Sequence, residues 1–252
     1  MSDITTKHWS ITSETGHKIA GRTDFSSDHT APRPAIVIVH GLTGSMDEHL
    51  HQQATPYFVA LGYDVLRFNL QSQDFPLRHC TLDTHAQDVR AVLEGPAAGY
   101  EQLFIIGHSY GGPTVMRAQP QKARAICLWD PSFNLPAIWQ QMAVEDRGDV
   151  ALLNFGGVEV VVGQAMVAEG TGPAYNAENC LVLSQQLHVP VQVLSAAEGD
   201  EFEVYQQDPR SWHSAGHPEN RRELIPDSDH CFTNPAALSA LLDKTHRWFA
   251  RF

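Results

Sequence analysis

Short apolar runs alternate with segments of helical spacing along most of the chain. Five of the runs are apolar or β-branched almost throughout, and turn-forming residues bound them, which is typical of strands covered on both faces. They are AIVIVH (Ala35–His40), YDVLRF (Tyr63–Phe68), QLFIIG (Gln102–Gly107), ARAICLW (Ala123–Trp129) and VPVQVL (Val189–Leu194). The spacing of apolar residues predicts helices over Glu48–Leu61, Leu82–Glu94 and Pro235–Phe252. This alternation predicts an α/β fold with a mostly parallel sheet.

Two segments depart from the alternation. Residues 9–25, WSITSETGHKIAGRTDF, form two alternating runs around a Thr-Gly turn and predict an antiparallel hairpin. Residues 131–188 lack a regular alternation: FNLPAIWQQM predicts a helix, GGVEVVVG a short strand or hairpin, and EGTGPAYNAEN a loop. An insertion of this length suits a cap over an active site, or a surface excursion with a small core of its own. We expect a single domain over 1–252, with 131–188 as the cap.

Composition excludes several classes of partner. The chain has 252 residues, of which 42% are hydrophobic, and 17 basic residues against 29 acidic ones give a net charge of −12. No basic cluster suggests a nucleic-acid partner. No apolar run approaches the roughly 18 residues that span a bilayer, and the amino terminus lacks the pattern of a secretory signal, so the expected location is the cytoplasm. The four cysteines are far apart, which favours reduced thiols over a disulfide framework or a zinc site.

The candidate nucleophile follows the third apolar run. Gly107-His108-Ser109-Tyr110-Gly111 fits the pattern G-x-S-x-G, with a strand before it and a helical stretch, PTVMRAQPQ, after it. A sharp strand-to-helix turn lifts the hydroxyl of Ser109 clear of the sheet, and flanking glycines remove the clash that such a turn creates. The alternative is a glycine-rich β–α turn without chemistry. The setting favours a catalytic serine, which needs a base to activate it.

A second glycine-containing turn follows the first apolar run. The segment HGLTG (His40–Gly44) comes directly after AIVIVH. Such a loop can aim the Leu42 N–H at the point that the Tyr110 N–H faces, where the two would stabilise an oxyanion. Tight-turn packing is the alternative for His40 and Gly41. Because the turn occurs together with G-x-S-x-G, the oxyanion interpretation is favoured.

The chain resembles the α/β-hydrolase superfamily in the order of its motifs. HGLTG comes first and GHSYGG second, followed by an acidic loop after a late strand and a histidine before the final helix. Within it, the chain is similar to small bacterial carboxylesterases of the cinnamoyl (feruloyl) esterase and monoacylglycerol-lipase type. The similarity runs from the hairpin to the terminal helix and is weakest across 131–188. It implies an eight-stranded, mostly parallel sheet and the catalytic order serine, acid, histidine.

Position selects the histidine. In ELIPDSDHCF, His230 lies in a loop after a strand-like run and before the helix that opens at Asn234-Pro235, and the family carries its histidine in a similar loop. As general base, His230 would take the proton of the serine and return it to the leaving group.

The acid has three candidates. VPVQVLSAAEGDEF resembles the family's strand and acid loop, and the family's spacing falls on Gly199, between Glu198 and Asp200. Asp is the commoner acid in this position, so Asp200 is the first choice and Glu198 the second. Asp130, in LWDPSF, is the third, because some members of the superfamily carry the acid after the preceding strand. An N-cap before Pro131 is the favoured alternative for Asp130.

These parts predict a serine hydrolase that cleaves carboxylic esters through an acyl-enzyme, with a small-molecule ester as its partner. Thioesterase, amidase or carbon–carbon bond hydrolase activity with the same triad is the alternative, and a non-catalytic ligand receptor is a more distant one. Short-chain or hydroxycinnamoyl esters are the expected substrates. Large side chains of the insertion could line the pocket or pack the cap, among them Trp139, Met142 and Phe155.

No metal or cofactor is predicted. The chain has neither a P-loop nor a dinucleotide-binding pattern. His213 and His217 are four residues apart, but Gly216 and Pro218 oppose a helix there, which favours a surface loop. His49 and His51, in EHLHQQ, are expected on the solvated face of a helix.

Overall fold

The order of the strands in the main sheet explains where the chain places its loops. A computed structural model of the protein describes residues 3–28, 32–155, 158–199 and 217–252. Its strands are β1 (Ile4–Thr12), β2 (Lys18–Ser26), β3 (Ala35–Val39), β4 (Asp64–Phe68), β5 (Leu103–His108), β6 (Ala125–Trp129), β7 (Ala143–Asp146), β8 (Val150–Phe155), β9 (Val158–Gly163), β10 (Val191–Ala196) and β11 (Arg221–Ile225).

Eight of these strands form one sheet in the order β1-β2-β4-β3-β5-β6-β10-β11. The hairpin β1–β2 is antiparallel, and β2 pairs with β4 in the same sense. All the remaining pairings of this sheet are parallel. The predicted α/β fold is therefore confirmed, including the eight-stranded, mostly parallel sheet that the resemblance implies.

Helices flank the sheet. They are α1 (His49–Ala60), α2 (Leu82–Glu94), α3 (Gly111–Ala118), α4 (Leu135–Trp139), α5 (Gln164–Thr171), α6 (Ala177–Gln186) and α7 (Pro235–Phe249), with 3₁₀ turns at Leu77–His79 and Pro173–Tyr175. Helix α2 has the predicted bounds, and Thr81 and Thr84 form a reciprocal capping box at its start. No helix in the described ranges combines the length and apolar character needed to cross a bilayer.

Two hydrophobic clusters cover the two faces of the sheet. Alternate residues of β3 divide between them, since Val37 and Val39 belong to one and Ile36 and Ile38 to the other. All five residues of β3 are buried, as expected for a strand covered on both faces. Cys80, Cys127 and Cys180 are buried and Cys231 is exposed, and all four are free thiols.

The insertion contains more regular structure than its sequence predicts. Strands β7, β8 and β9 form a separate antiparallel sheet, and α5 and α6 cover much of the segment predicted as a loop. Met166 and Tyr175 are buried in the same cluster as the strand residues Val37 and Ile105. The described residues of the insertion therefore pack on the core of the main sheet.

Candidate active site

The candidate residues lie together because the parallel strands end at one edge of the sheet. Five parallel strands lie side by side in the sheet, in the order β3, β5, β6, β10 and β11. The loops that follow them carry His40, Ser109, Asp130, Gly199 and His230. In open α/β sheets this carboxyl edge is where ligands bind.

Ser109 occupies a strained turn between β5 and α3. Its backbone φ is 54°, a left-handed value that non-glycine residues rarely adopt. A Cβ on Gly111 would lie 2.4 Å from the carbonyl oxygen of Val39, so only glycine lets α3 approach β3 so closely. The turn leaves Ser109 partly exposed between buried neighbours. The serine at the centre of the G-x-S-x-G pattern is therefore not sealed within the core.

His230 joins Ser109 to a buried carboxylate. Nε2 of His230 lies 2.8 Å from Oγ of Ser109, and Nδ1 lies 2.5 Å from Oδ2 of Asp130. The His230 side chain is 39% exposed, whereas the Asp130 side chain is fully buried. Oδ1 of Asp130 accepts a hydrogen bond of 2.8 Å from the N–H of Ala196. Both carboxylate oxygens are thus engaged, which fixes the orientation of the carboxylate toward the imidazole.

The carboxylate on His230 is the third of the three predicted acids. Asp130 follows β6 with φ 40°, and the next helix begins at Leu135 after Asn134, so the N-cap interpretation of Asp130 is wrong. Glu198 is exposed, and Asp200 lies outside the described residues. A Cβ on Gly199 would lie 2.3 Å from Oδ2 of Asp130, so the loop after β10 passes directly against this carboxylate.

The HGLTG loop lies against the serine. A Cβ on Gly41 would come within 2.9 Å of Cβ and 3.3 Å of Oγ of Ser109. His40 braces the loop, because it contacts the Gly41 carbonyl through Nδ1 and accepts from the Leu70 N–H through Nε2. Burial lowers the pKa of His40 to about 4, so the ring is neutral near pH 7.

The two predicted oxyanion donors lie at this loop and at the serine turn. Neither the Leu42 N–H nor the Tyr110 N–H donates a hydrogen bond to any residue in the described ranges. Both residues are largely buried, with 8% and 3% of their surface exposed. Buried backbone donors that lack a hydrogen-bond partner in the described ranges are the kind of group that an oxyanion hole requires.

Ser132 is a neighbour of Ser109 that the motif did not indicate. Its Oγ lies 3.3 Å from Oγ of Ser109, and its N–H donates to the Ser109 carbonyl oxygen. The sequence signal was its position two residues after Asp130, at the end of the strand next to β5. Such proximity depends on strand order, which a motif does not encode.

The three predicted substrate-binding residues have different surroundings. Trp139 is 2% exposed and packs on Gly170, where a Cβ would meet the indole at 2.2 Å. Met142 is partly exposed, and the side chain of Phe155 lies outside the described part. Trp139 therefore packs within the insertion. A cavity between the ends of α2 and α3, lined by Arg90 and Gln121 among others, contains no residue of the serine–histidine–aspartate group.

The remaining histidine predictions divide. His49 is exposed as expected, but His51 is fully buried, so the expectation of a solvated position is wrong for His51. His51 lies on the inner face of α1, together with the other five buried residues of that helix. His217 is partly exposed and His213 lies outside the described residues.

Comparisons with known proteins agree with this architecture. A model of the alpha/beta hydrolase family matches residues 36–241. The chain therefore belongs to the alpha/beta hydrolase family. No match was found among curated proteins.

Solved structures of low sequence identity share the fold. Est1E from Butyrivibrio proteoclasticus with bound ferulic acid superimposes with a TM-score of 0.75 at 18% identity, over 96% of this chain and 99% of that one. The esterase domain of a Rhodothermus marinus protein gives 0.72 at 18% identity, over 98% of both chains. Dienelactone hydrolase from Anabaena variabilis gives 0.64 at 14% identity, over 98% of both chains.

Proposed function

We propose that the protein is a serine hydrolase that cleaves carboxylic esters through a covalent acyl-enzyme. The observation that carries this proposal is the continuous contact from Ser109 Oγ through His230 to Asp130, at 2.8 and 2.5 Å. An ordinary serine hydroxyl is a weak nucleophile, and a base oriented by a buried carboxylate activates it. We therefore assign the acid to Asp130.

In the first half of the reaction, Ser109 Oγ attacks the carbonyl carbon of the ester as His230 Nε2 accepts its proton. Asp130 stabilises the imidazolium and keeps the ring oriented through Nδ1. The negative charge that develops on the carbonyl oxygen is bound by the N–H groups of Leu42 and Tyr110. The protonated His230 then donates its proton to the departing alcohol. The acyl group remains bound to Ser109 as an ester.

In the second half, water replaces the alcohol. His230 removes a proton from the water as it attacks the acyl-enzyme, and then returns that proton to Ser109 Oγ. The partial exposure of the His230 side chain, 39%, supports access of water to Nε2. Residues 131–188 act as the cap over this site in our proposal, since Ser132 and the insertion follow directly from Asp130.

Short-chain or hydroxycinnamoyl esters are the proposed substrates. Est1E, which shares the fold, was solved with ferulic acid, a hydroxycinnamic acid. A series of p-nitrophenyl esters from acetate to palmitate, with methyl ferulate beside it, ranks these substrates by kcat/KM. A matched thioester and anilide measure the alternative activities, and a higher kcat/KM for either one would replace carboxylic esters as the proposed class.

The decisive variant is Ser109→Ala. We expect its hydrolysis of p-nitrophenyl acetate to fall by at least about 10⁴-fold, since members of such a group act as a unit. Ser239→Ala is the matched control, because Ser239 is exposed on α7 and is not a member of the serine–histidine–aspartate group. Circular dichroism confirms that both variants are folded. Undiminished turnover by a folded Ser109→Ala enzyme would refute the proposal.

A further inference from the structure

A second group of titratable side chains lies next to the serine turn and includes the residue before Ser109. It comprises Glu48, at the start of α1, His51, in the first turn of α1, and His108, the last residue of β5. We call these three residues the Glu48 cluster. Its ligand atoms all lie within 4.8 Å of one another. The proposed hydrolytic mechanism uses none of the three, so their arrangement needs another explanation.

Four polar atoms of the cluster are buried without a hydrogen bond to any described residue. The side chains of His51 and His108 are 0% and 7% exposed, and that of Glu48 is 24% exposed. Oε1 of Glu48, both ring nitrogens of His51 and Nδ1 of His108 have no hydrogen-bond partner within the described ranges. A buried polar atom left without a partner costs roughly 1–3 kcal/mol, so four of them in one place suggest a missing ligand.

The distances within the cluster are short although the hydrogen-bond directions are wrong. Oε1 of Glu48 lies 2.9 Å from Nε2 of His51 and 3.4 Å from Nδ1 of His108. Ligand atoms that each lie about 2.1 Å from a shared zinc ion are about 3.0–3.4 Å apart, at right or tetrahedral angles. In that arrangement the ring nitrogens point at the ion and not at the oxygen, which explains close atoms without hydrogen bonds.

The tautomer of His108 gives independent support. Nε2 of His108 lies 3.0 Å from the carbonyl oxygen of His230. A carbonyl oxygen can only accept, so Nε2 carries the hydrogen and donates it. With the single ring hydrogen on Nε2, Nδ1 carries a lone pair and is available as a ligand atom 3.4 Å from Oε1 of Glu48. A metal-binding histidine typically donates its other N–H to a backbone carbonyl in this way.

We propose that Glu48, His51 and His108 form a binding site for a divalent transition-metal ion, with zinc as the expected occupant. Two imidazoles and one carboxylate are a ligand set that zinc accepts, with water completing a tetrahedron. Entry is possible past Glu48, the partly exposed member. The bound ion holds His108, and His108 holds the backbone of His230, so the ion stiffens the loop that carries the proposed base.

Metal content tests this site directly. Tag-free protein is stripped with a chelator, incubated with ZnCl₂, passed through a desalting column and measured by inductively coupled plasma mass spectrometry. We expect about one tightly held zinc per wild-type chain. Glu48→Gln and His51→Gln should each weaken binding by roughly 100-fold or more, because each removes a ligand. His49→Gln is the matched control, since His49 is exposed on the same helix and should retain the wild-type stoichiometry.

Cobalt supplies a readout that does not depend on the variants folding. Co²⁺ added to the stripped wild-type protein should produce visible absorption bands of a tetrahedral N/O site, and Zn²⁺ should abolish them. Wild-type protein that binds neither ion at micromolar concentration would overturn the proposal. Zinc binding that Glu48→Gln and His51→Gln leave unchanged in folded protein would also overturn it.

Discussion

Two histidine–carboxylate pairs in this protein have the same chemistry but different surroundings. Nδ1 of His17 lies 2.7 Å from Oδ2 of Asp88, and both side chains are 0% exposed. Nδ1 of His230 lies 2.5 Å from Oδ2 of Asp130, but 39% of the His230 side chain is exposed. The contact itself does not distinguish a structural pair from a candidate catalytic one.

The two pairs differ in the surroundings of Nε2, the ring nitrogen that does not contact the carboxylate. Nε2 of His230 lies against the hydroxyl of Ser109 at a partly exposed turn. Nε2 of His17 is buried without a hydrogen-bond partner among the described residues, and its ring stacks on Phe75 at 4.8 Å. A base needs a proton donor and access to substrate, which only the His230 pair has. The two pairs should therefore respond oppositely to the same substitution.

Asp130→Asn should have the larger effect. The amide cannot hold the imidazole in the required tautomer or stabilise its charge, so we expect kcat for p-nitrophenyl acetate to fall by about 10⁴-fold. Asp200→Asn is the companion variant, and we expect it to change kcat by less than about tenfold. Steady-state kinetics on both decide the acid. A greater loss in Asp200→Asn than in Asp130→Asn would return the assignment to the first sequence-based choice.

Asp88→Asn should change stability and leave activity alone. Replacing this buried carboxylate removes its contact with Nδ1 of His17, which should lower the free energy of unfolding by about 1–3 kcal/mol. For a domain of this size, each kcal/mol shifts Tm by about 2–4 °C. Thermal unfolding and ester kinetics on the same preparation measure both properties. A large loss of kcat with unchanged Tm would contradict the structural role of this pair.

The smallest expected effect concerns buried histidines that are not paired with a carboxylate. Burial is the largest cause that lowers the pKa of His85 to about 3, from an ordinary value of 6.5. Between these values the unfolded chain binds a proton that the folded chain does not, so stability falls as pH falls below 6.5, by up to about 1.4 kcal/mol per pH unit. Above pH 6.5 the burial of the neutral His85 ring no longer makes the free energy of unfolding depend on pH.

Urea unfolding at pH 7.0 and 5.5 measures this contribution. His85→Leu should reduce the loss of stability between the two pH values, relative to wild type. The exposed His49 provides the control, because His49→Gln should leave the loss unchanged. An equal pH dependence in His85→Leu and wild type would show that this buried ring does not cause it.

The sequence predicted those features that depend on local pattern. Apolar runs located five of the eight strands of the sheet, and spacing located α2 at its observed bounds. Gly107-x-Ser109-x-Gly111 indicated the strained turn because local backbone sterics require glycine there. His230 followed from its position between β11 and α7. Each of these inferences uses residues that are close in the chain.

The features that the sequence did not predict depend on which strands are neighbours. Asp130 and Gly199 follow β6 and β10, which pair in the sheet, so the loop after β10 reaches the Asp130 carboxylate. Spacing along the chain cannot decide which of the two loops supplies the acid. Likewise His51 of α1 is buried with its ring 6.5 Å from that of His108, which lies more than fifty residues away along the chain. The pattern EHLHQQ alone looks like a polar helix face.

Labelling by a fluorophosphonate, located by peptide mass spectrometry, tests the central claim most directly. The probe forms a covalent bond only with a serine that a base activates. We predict a single adduct on Ser109, absent in Ser109→Ala and formed much more slowly in Asp130→Asn. An adduct on Ser132 or any other serine, or no adduct on folded wild-type protein, would contradict the account.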